Sequence, residues 1–251
     1  MATQESPSLL TKIVVKFKTA GILSLVFAAP RYVYENHLRR HLLTHNKVVW
    51  YSGIGTPYKV SILDRFVPKY TQQEDNPSYE RAEVNAMRNY TNQGDNVVIV
   101  GAGLGITPTV AANSVGKDGQ VIAYEASADR ISRVRKTIQY NNVSDIVDIR
   151  HAIVGKAEDV RGDIGSAVTI PPKELPECEF LELDCEGAEE LILEEMTINP
   201  RVLSVETHET KGVSQSKVLK LLKRRGYKIT EENDKTDRFE GIRHIVSTLE
   251  K

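Results

Sequence analysis

The stretch NVVIVGAGLGIT, residues 96–107, constrains the fold more than any other part of the chain. Four apolar residues (97–100) run directly into three glycines at alternate positions, Gly101, Gly103 and Gly105. This pattern predicts a buried strand that ends in a turn and leads into a helix. Glycines in such a turn let the backbone approach a ligand that a Cβ atom would block.

The spacing of the glycines separates two classes of nucleotide site. A dinucleotide site has the spacing G-x-G-x-x-G, in which the third glycine allows close packing of helix on strand. Here the third glycine comes one residue early, at Gly105, and Ile106 follows it. The spacing G-x-G-x-G is that of S-adenosylmethionine sites, so we predict S-adenosyl-L-methionine as the cofactor.

Glu125 supports a nucleoside ligand of either class. It ends the next predicted strand, 120–124, and follows the glycine turn by one helix. A carboxylate at this place can accept hydrogen bonds from both ribose hydroxyls. The same interaction is available to NAD, so Glu125 does not choose between the two cofactors.

From residue 76 onward, predicted strands and helices alternate, which favours a parallel sheet with helices on both faces. The last two strands have no helix between them and would be antiparallel neighbours. We predict a doubly wound α/β domain over residues 76–251 and an N-terminal extension over residues 1–75, with a hairpin around 50–60. The predicted strands are 96–100, 120–124, 146–149, 179–183, 202–206, 227–230 and 242–248.

Composition and charge limit the classes of partner and the compartment that we expect for this chain. With 27% charged and 40% hydrophobic residues and a net charge of −1, the chain has an ordinary globular composition. A charge this close to neutral gives no reason to expect nucleic acid as a partner. The two cysteines, Cys178 and Cys185, match no zinc or redox spacing, which favours a reducing cytoplasm.

The segment 12–29 leaves a membrane question open. Lysines precede an uncharged run that ends at Pro30 and is too short to span a bilayer, for which about 20 apolar residues are needed. We expect a surface or packing helix, with peripheral membrane contact as the alternative.

The histidines His37, His41 and His45 follow one another at i, i+4 spacing and could face one side of a helix. Two such histidines can bind zinc, but Arg39 and Arg40 would repel a cation, so we predict a surface or helix-packing role for these histidines.

Several segments together resemble the FkbM family of class I methyltransferases. These segments are Tyr79-Glu80, NQGDNVVIVGAGLGIT, VIAYEAS, EFLELDCEGAEELIL and VLSVETHE, in order over about residues 78–230. The most specific of them is LDCEGAE, residues 183–189. The resemblance implies a seven-stranded sheet of order 3-2-1-4-5-7-6 with the last strand antiparallel. It also implies methyl transfer to an oxygen, often on a sugar or glycan.

The resemblance also implies roles for individual residues. Glu80 would lie near the methionine end of the cofactor, and Gly101, Gly103 and Gly105 would form the loop beneath it. Glu125 would hold the ribose, Ala152 would lie beside the adenine, and Asp184 would face the methyl group and the acceptor.

The chain departs from the family pattern at two positions. The family usually has an acid where this chain has Ile99, and that acid helps to orient the amino group of the methionine. The family favours lysine near the acceptor where this chain has Glu182. These departures motivate a second hypothesis, a methyltransferase-fold protein that is inactive and serves as a binding or assembly module.

A hydroxyl acceptor needs a base to take its proton. Asp184, Glu186 and His208 are the candidates, and neighbouring strands would bring Asp184 and His208 together. Histidine is the more natural base because its reference pKa is near 6.5. Glu186 could instead only shape a turn, and His208 could only cap a strand. A metal held by these three residues stays open on ligand type, but we predict no metal.

The leading hypothesis is therefore an S-adenosylmethionine-dependent O-methyltransferase that acts on a carbohydrate, a glycan or a similar small acceptor in the cytoplasm. An acceptor such as a lipid headgroup, docked through residues 12–29, is an alternative. An NAD-dependent oxidoreductase is disfavoured by Ile106 and by the DCEG turn.

Overall fold

The structure is a computed structural model that describes residues 34, 42, 44–61, 63–64, 75–156, 163–234 and 241–250. The segment 12–29 and the residues His37 and His41 lie outside the described residues. His45 lies in a strand rather than in a helix, so the predicted helical stripe of three histidines does not extend to it. Within the described residues, no helix is both long and apolar enough to cross a membrane.

The chain divides into two compact units, residues 1–47 with 58–72 and residues 48–57 with 73–251. The predicted hairpin is present but begins earlier, with β1 (Thr44–Tyr51) and β2 (Ile54–Ser61). Its turn residues Ser52 and Gly53 both have positive φ, 52° and 81°, which suits a tight hairpin turn.

The second unit contains the predicted α/β sheet. Its strands lie in the order β6-β5-β4-β3-β7-β8-β10-β9, and β10 runs antiparallel to both of its neighbours. The strands are β3 (Asn96–Val100), β4 (Gln120–Glu125), β5 (Val147–Val154), β6 (Val168–Ile170), β7 (Phe180–Leu183), β8 (Val202–His208), β9 (Tyr227–Asp234) and β10 (Ile242–Leu249). The helices are α1 (Arg81–Tyr90), α2 (Ile106–Val115), α3 (Ala128–Tyr140), α4 (Glu189–Glu195) and α5 (Gln215–Arg224).

The doubly wound α/β fold is confirmed, and so is the strand order, since the seven predicted strands follow 3-2-1-4-5-7-6 with β10 antiparallel. The predicted number of strands was wrong. Among the described residues the sheet has eight strands, because β6 adds to the edge beside β5 in parallel. This strand has only three residues and is partly exposed, so its sequence carries no buried apolar run that would predict it.

The central strands are buried on both faces, which explains their continuous apolar runs. Alternate residues of β3 enter different cores. Val98 and Val100 pack in the cluster that includes residues of α4 and α5, whereas Val97 and Ile99 pack in the cluster that includes residues of α1 and α2. The helices therefore cover both faces of the sheet, as a doubly wound fold requires.

The carboxyl ends of the parallel strands meet at one edge of this sheet. The order reverses at β3, which lies between β4 and β7. Ligands of open α/β sheets bind outside the carboxyl ends at such a reversal. The residues that leave β3, β4 and β7 are therefore positioned to build a site, and β8 adds its end beside β7.

We expect Phe180→Ala to lower the free energy of unfolding by about 3–5 kcal/mol, because it removes a fully buried ring from the centre of the sheet. Val168→Ala, on the exposed edge strand, should change it by less than about 0.5 kcal/mol. Urea denaturation followed by circular dichroism measures both values. Equal effects of the two substitutions would contradict the position of β7 in the core.

Candidate active site

The glycine loop brings β3 into backbone contact with the turn after β7. Gly101 has a φ of 107°, and a Cβ atom there would lie 1.9 Å from the carbonyl oxygen of Asp184. Only glycine can adopt this conformation at this distance. Gly105 caps α2 with a φ of 85°, and a Cβ there would lie 3.2 Å from Val134 Cα on α3. Glycine at position 101 thus allows the loop to approach the turn after β7, and glycine at position 105 allows α2 to pack closely on α3.

Glu125 attaches the glycine loop to the end of β4. Its carboxylate accepts a hydrogen bond from the Gly103 N–H at 3.0 Å and another from the Ser127 N–H at 2.8 Å. Burial raises the pKa of Glu125, while the Ser127 hydrogen bond partly opposes that effect. Each oxygen keeps a second acceptor site, so the carboxylate can also bind hydroxyl groups.

A cavity opens at the carboxyl edge, and most of the predicted cofactor residues line it. Its lining includes the predicted residues Glu80, Gly101, Gly103, Glu125, Ala152 and Asp184, and also Glu186. Gly105 is not part of this lining, which agrees with its packing against α3. Arg130 and Lys156 are basic residues of the wall, and Tyr79 and Tyr124 are aromatic ones.

Glu80 enters the cavity from a turn before α1. The helix begins at Arg81, and in the turn that precedes it the Asn76 side chain accepts hydrogen bonds from Ser78. Glu80 has a left-handed φ of 47°, and Glu186, also in the cavity lining, has one of 57°. Left-handed residues other than glycine are strained, and such strain concentrates at functional sites.

The DCEG turn is stabilised by a residue that sequence reasoning missed. The Glu189 carboxylate, at the start of α4, accepts hydrogen bonds from the Cys185 N–H at 3.2 Å and the Gly187 N–H at 2.8 Å. Glu186 forms an ion pair with Lys211, so its side chain is engaged away from His208. The signal for Glu189 was its place three residues after Glu186 at the first turn of a helix.

His208, at the end of β8, lies between carboxylates. Its Nδ1 is 3.2 Å from Glu189 Oε1, and its Nε2 is 3.1 Å from Glu206 Oε1 and 3.7 Å from Asp184 Oδ1. Burial lowers the pKa of His208, but hydrogen bonds to Glu189 and Glu206 and the charge of Asp184 outweigh it and raise the pKa to about 10. The structure therefore brings Asp184 and His208 together, but His208 is not part of the cavity lining.

Three further acids form a buried layer on the same side of the sheet. Glu83, Glu182 and Glu206 are each 5% exposed or less. Burial and the charge of Asp184 raise the pKa of Glu206 to about 8, and a side-chain hydrogen bond to Glu83 contributes. Burial, followed by the charge of Glu83, raises the pKa of Glu182, and the Thr107 hydroxyl hydrogen-bonds it. Glu182 and Glu206 could have been found from the sequence, because each is an acid within an otherwise apolar strand.

The two departures from the family pattern are neighbours in space. Ile99 on β3 and Glu182 on β7 are register partners in the parallel ladder. Both are buried, and neither lines the cavity. An acid at 99 and a lysine at 182 would form a cross-strand pair of opposite charge. The two positions at which the chain departs from the predicted family pattern therefore lie side by side in the sheet.

No protein-family model and no curated protein matches the chain. Solved structures match it in fold. Trm5b from Pyrococcus abyssi is 14% identical over 81% of this chain and 55% of that chain, with a TM-score of 0.52. A SAM-dependent O-methyltransferase from Thermotoga maritima is 19% identical over 81% of this chain and 77% of that chain, with a TM-score of 0.46. TYW2 from M. jannaschii, solved with AdoMet, is 13% identical over 81% of this chain and 84% of that chain, with a TM-score of 0.46.

Identities this low show the fold alone. The chain shares the fold of Trm5b, and it spans about half the length of that protein. Membership of the FkbM family stays a prediction.

We expect Gly101→Ala to destabilise the protein by clearly more than Gly94→Ala. Both positions have positive φ, but a Cβ at Gly94 meets no atom within 4 Å, whereas one at Gly101 would overlap the Asp184 carbonyl. Gly94→Ala should therefore cost only the conformational penalty of about 1–2 kcal/mol. Thermal and urea denaturation compare the variants, and equal losses would contradict the contact between loop and turn.

Proposed function

We propose that this protein is an S-adenosylmethionine-dependent methyltransferase that transfers a methyl group to a hydroxyl oxygen. The observation that supports this most is the cavity at the order reversal of the sheet. Six of the seven residues that the sequence assigned to the cofactor line this one cavity, although they come from five separate segments of the chain.

The residues present fit the cofactor. Gly103 leaves room where a Cβ atom would lie 3.2 Å from Glu80 Oε1, so the loop can cradle a ligand beside that acid. Glu125 has acceptor sites left for the two ribose hydroxyls, and Ala152 lies in the wall where the adenine would stack. S-adenosylmethionine carries a positive sulfonium and a positive ammonium group, and four carboxylates line the cavity: Glu80, Glu125, Asp184 and Glu186.

The protein's own task is to align the acceptor and to take its proton. When bound, S-adenosylmethionine would supply an electrophilic methyl group, which passes in line to the acceptor oxygen while the sulfur leaves as the neutral thioether S-adenosylhomocysteine. We propose that Asp184 is the base that removes the proton of the acceptor, because this carboxylate lines the cavity at the end of β7. His208 is a positioning residue, since both of its ring nitrogens face carboxylates and Asp184 is one of them.

For the acceptor we propose a carbohydrate, a glycan or a similar small hydroxylated molecule. The FkbM resemblance supports an oxygen acceptor of this class. The cavity wall has four carboxylates against two basic residues, Arg130 and Lys156, so a phosphate backbone would meet net repulsion there. The net charge of −1 gives the chain no excess of positive charge to offset it. These charges argue against a nucleic acid acceptor.

We expect S-adenosylmethionine and S-adenosylhomocysteine to bind with micromolar Kd in calorimetric titration, and NAD not to bind. Glu125→Ala should weaken the binding of S-adenosylmethionine and of S-adenosylhomocysteine at least about tenfold. It removes the acceptor for the ribose hydroxyls and the hydrogen bond that holds the Gly103 N–H. Glu179→Ala, which removes a carboxylate at the opposite end of β7, should bind like the wild type. Absence of binding by the wild type would refute the proposed cofactor.

The assignment of the base is tested by methyl transfer from labelled S-adenosylmethionine to glycan and RNA panels. Asp184→Asn should lower the rate on the accepted glycan by about 10²–10⁴-fold while cofactor binding is retained. Glu179→Gln is the matched control. Labelling of RNA alone would refute the acceptor class, and cofactor binding without any transfer would favour the inactive binding module.

A further inference from the structure

A second group of side chains lies behind the cavity wall and shares only Asp184 with the proposed cofactor site. One ligand atom from each of Asp184, Glu206 and His208 lies within 4.8 Å of the other two. Glu206 and His208 are buried, and Asp184 is partly buried because it also lines the cavity. We call Asp184, Glu206 and His208 the three-ligand cluster.

The spacing within the three-ligand cluster suits a metal ion. Ligand atoms about 2.1 Å from a metal, at angles between about 90° and 120°, lie about 3.0–3.6 Å from one another. His208 Nε2 lies 3.1 Å from Glu206 Oε1 and 3.7 Å from Asp184 Oδ1. The side chains therefore need only small adjustments to surround one ion.

The second ring nitrogen of His208, Nδ1, is held by a carboxylate, as is usual for metal-binding histidines. Its Nδ1 faces Oε1 of Glu189, a fully buried carboxylate, at 3.2 Å. With Nδ1–H donating to Glu189, Nε2 is the nitrogen that can exchange its proton for a cation, and it faces Glu206 and Asp184. Histidine ligands typically donate their second ring N–H to a carboxylate in this way, which fixes the tautomer.

The surroundings of the three-ligand cluster carry an excess of buried acids. Glu182 stands two residues before Asp184 on the same face of β7, and its Oε2 has no hydrogen-bond partner among the described residues. Glu83, on α1, is a further buried acid close to Glu206. Several buried carboxyl groups around one imidazole need a cation or bound protons to offset their mutual repulsion.

We propose that Asp184, Glu206 and His208 bind one divalent first-row cation, such as Mn²⁺, with Glu189 orienting His208. Two carboxylates with one imidazole suit an ion of this class. The proposal departs from the expectation that the site holds no metal. It also differs from the set Asp184, Glu186 and His208 weighed from the sequence, because Glu186 pairs with Lys211 and Glu206 takes its place.

The test is a titration of the untagged, metal-stripped full chain with Mn²⁺ alone, followed by the electron paramagnetic resonance signal of the free ion. We expect saturable binding of one Mn²⁺ per chain. His208→Gln and Glu206→Gln should each weaken it at least tenfold, and Glu189→Gln should weaken it about tenfold or more through the orientation of His208. Absence of saturable binding by the wild type at millimolar Mn²⁺ would overturn the proposal.

Glu186→Gln is the matched control, since it removes a carboxylate from the same turn without touching the three-ligand cluster, and it should bind Mn²⁺ like the wild type. Circular dichroism identifies any variant that fails to fold. As a second measurement, Mn²⁺ should raise the Tm of the wild type but not that of folded His208→Gln. Undiminished binding by folded His208→Gln and Glu206→Gln would also refute the assignment.

The inference does not rest on the proposed function. Mn²⁺ binding is measured without S-adenosylmethionine, and S-adenosylmethionine binding is measured with metal-stripped protein. Failure of one titration therefore leaves the other result intact.

Discussion

The candidate site depends on the close approach of the Gly101 backbone to the turn after β7. A Cβ atom at Gly101 would lie 1.9 Å from the Asp184 carbonyl oxygen. The same junction is held by the Gly101 N–H, which donates to the Tyr124 carbonyl, and by the Asp184 N–H, which donates to the Val100 carbonyl. These contacts hold the carboxyl ends of β3, β4 and β7 together. The cavity opens there because the glycine loop, Glu125 and Asp184 leave the sheet at one place.

Behind this cavity lies the layer of buried acids formed by Glu83, Glu182 and Glu206. Burying a carboxylate is costly unless another group compensates its charge. Glu182 adds to this burden, because its register partner on β3 is the apolar Ile99 and not a cation. His208 contacts the layer through Glu206, and Glu189 holds the opposite edge of its ring. The cofactor pocket and the proposed cation site therefore share Asp184 and little else.

Patterns within single segments predicted much of this arrangement. The order of the sheet followed from the alternation of strands and helices, from the final hairpin and from the family resemblance, while the glycine spacing pointed to the cofactor. The partly exposed strand β6 was missed because three residues carry no periodic signal. The acids Glu83, Glu189 and Glu206 were missed as site residues because nothing in their own segments shows which strand or helix faces them.

The sequence by itself determined the doubly wound fold, the glycine loop and the acid at the end of β4, because strand burial and turn conformation are set by residues a few positions apart. Only the tertiary structure decided what surrounds His208. Its partners come from the end of β7, the start of α4 and β8 itself, and they meet only when β7 and β8 pair in parallel and α4 packs back on the sheet. Electrostatic interactions act across space rather than along the chain, so the surroundings of a buried ionisable group emerge only once the elements are packed.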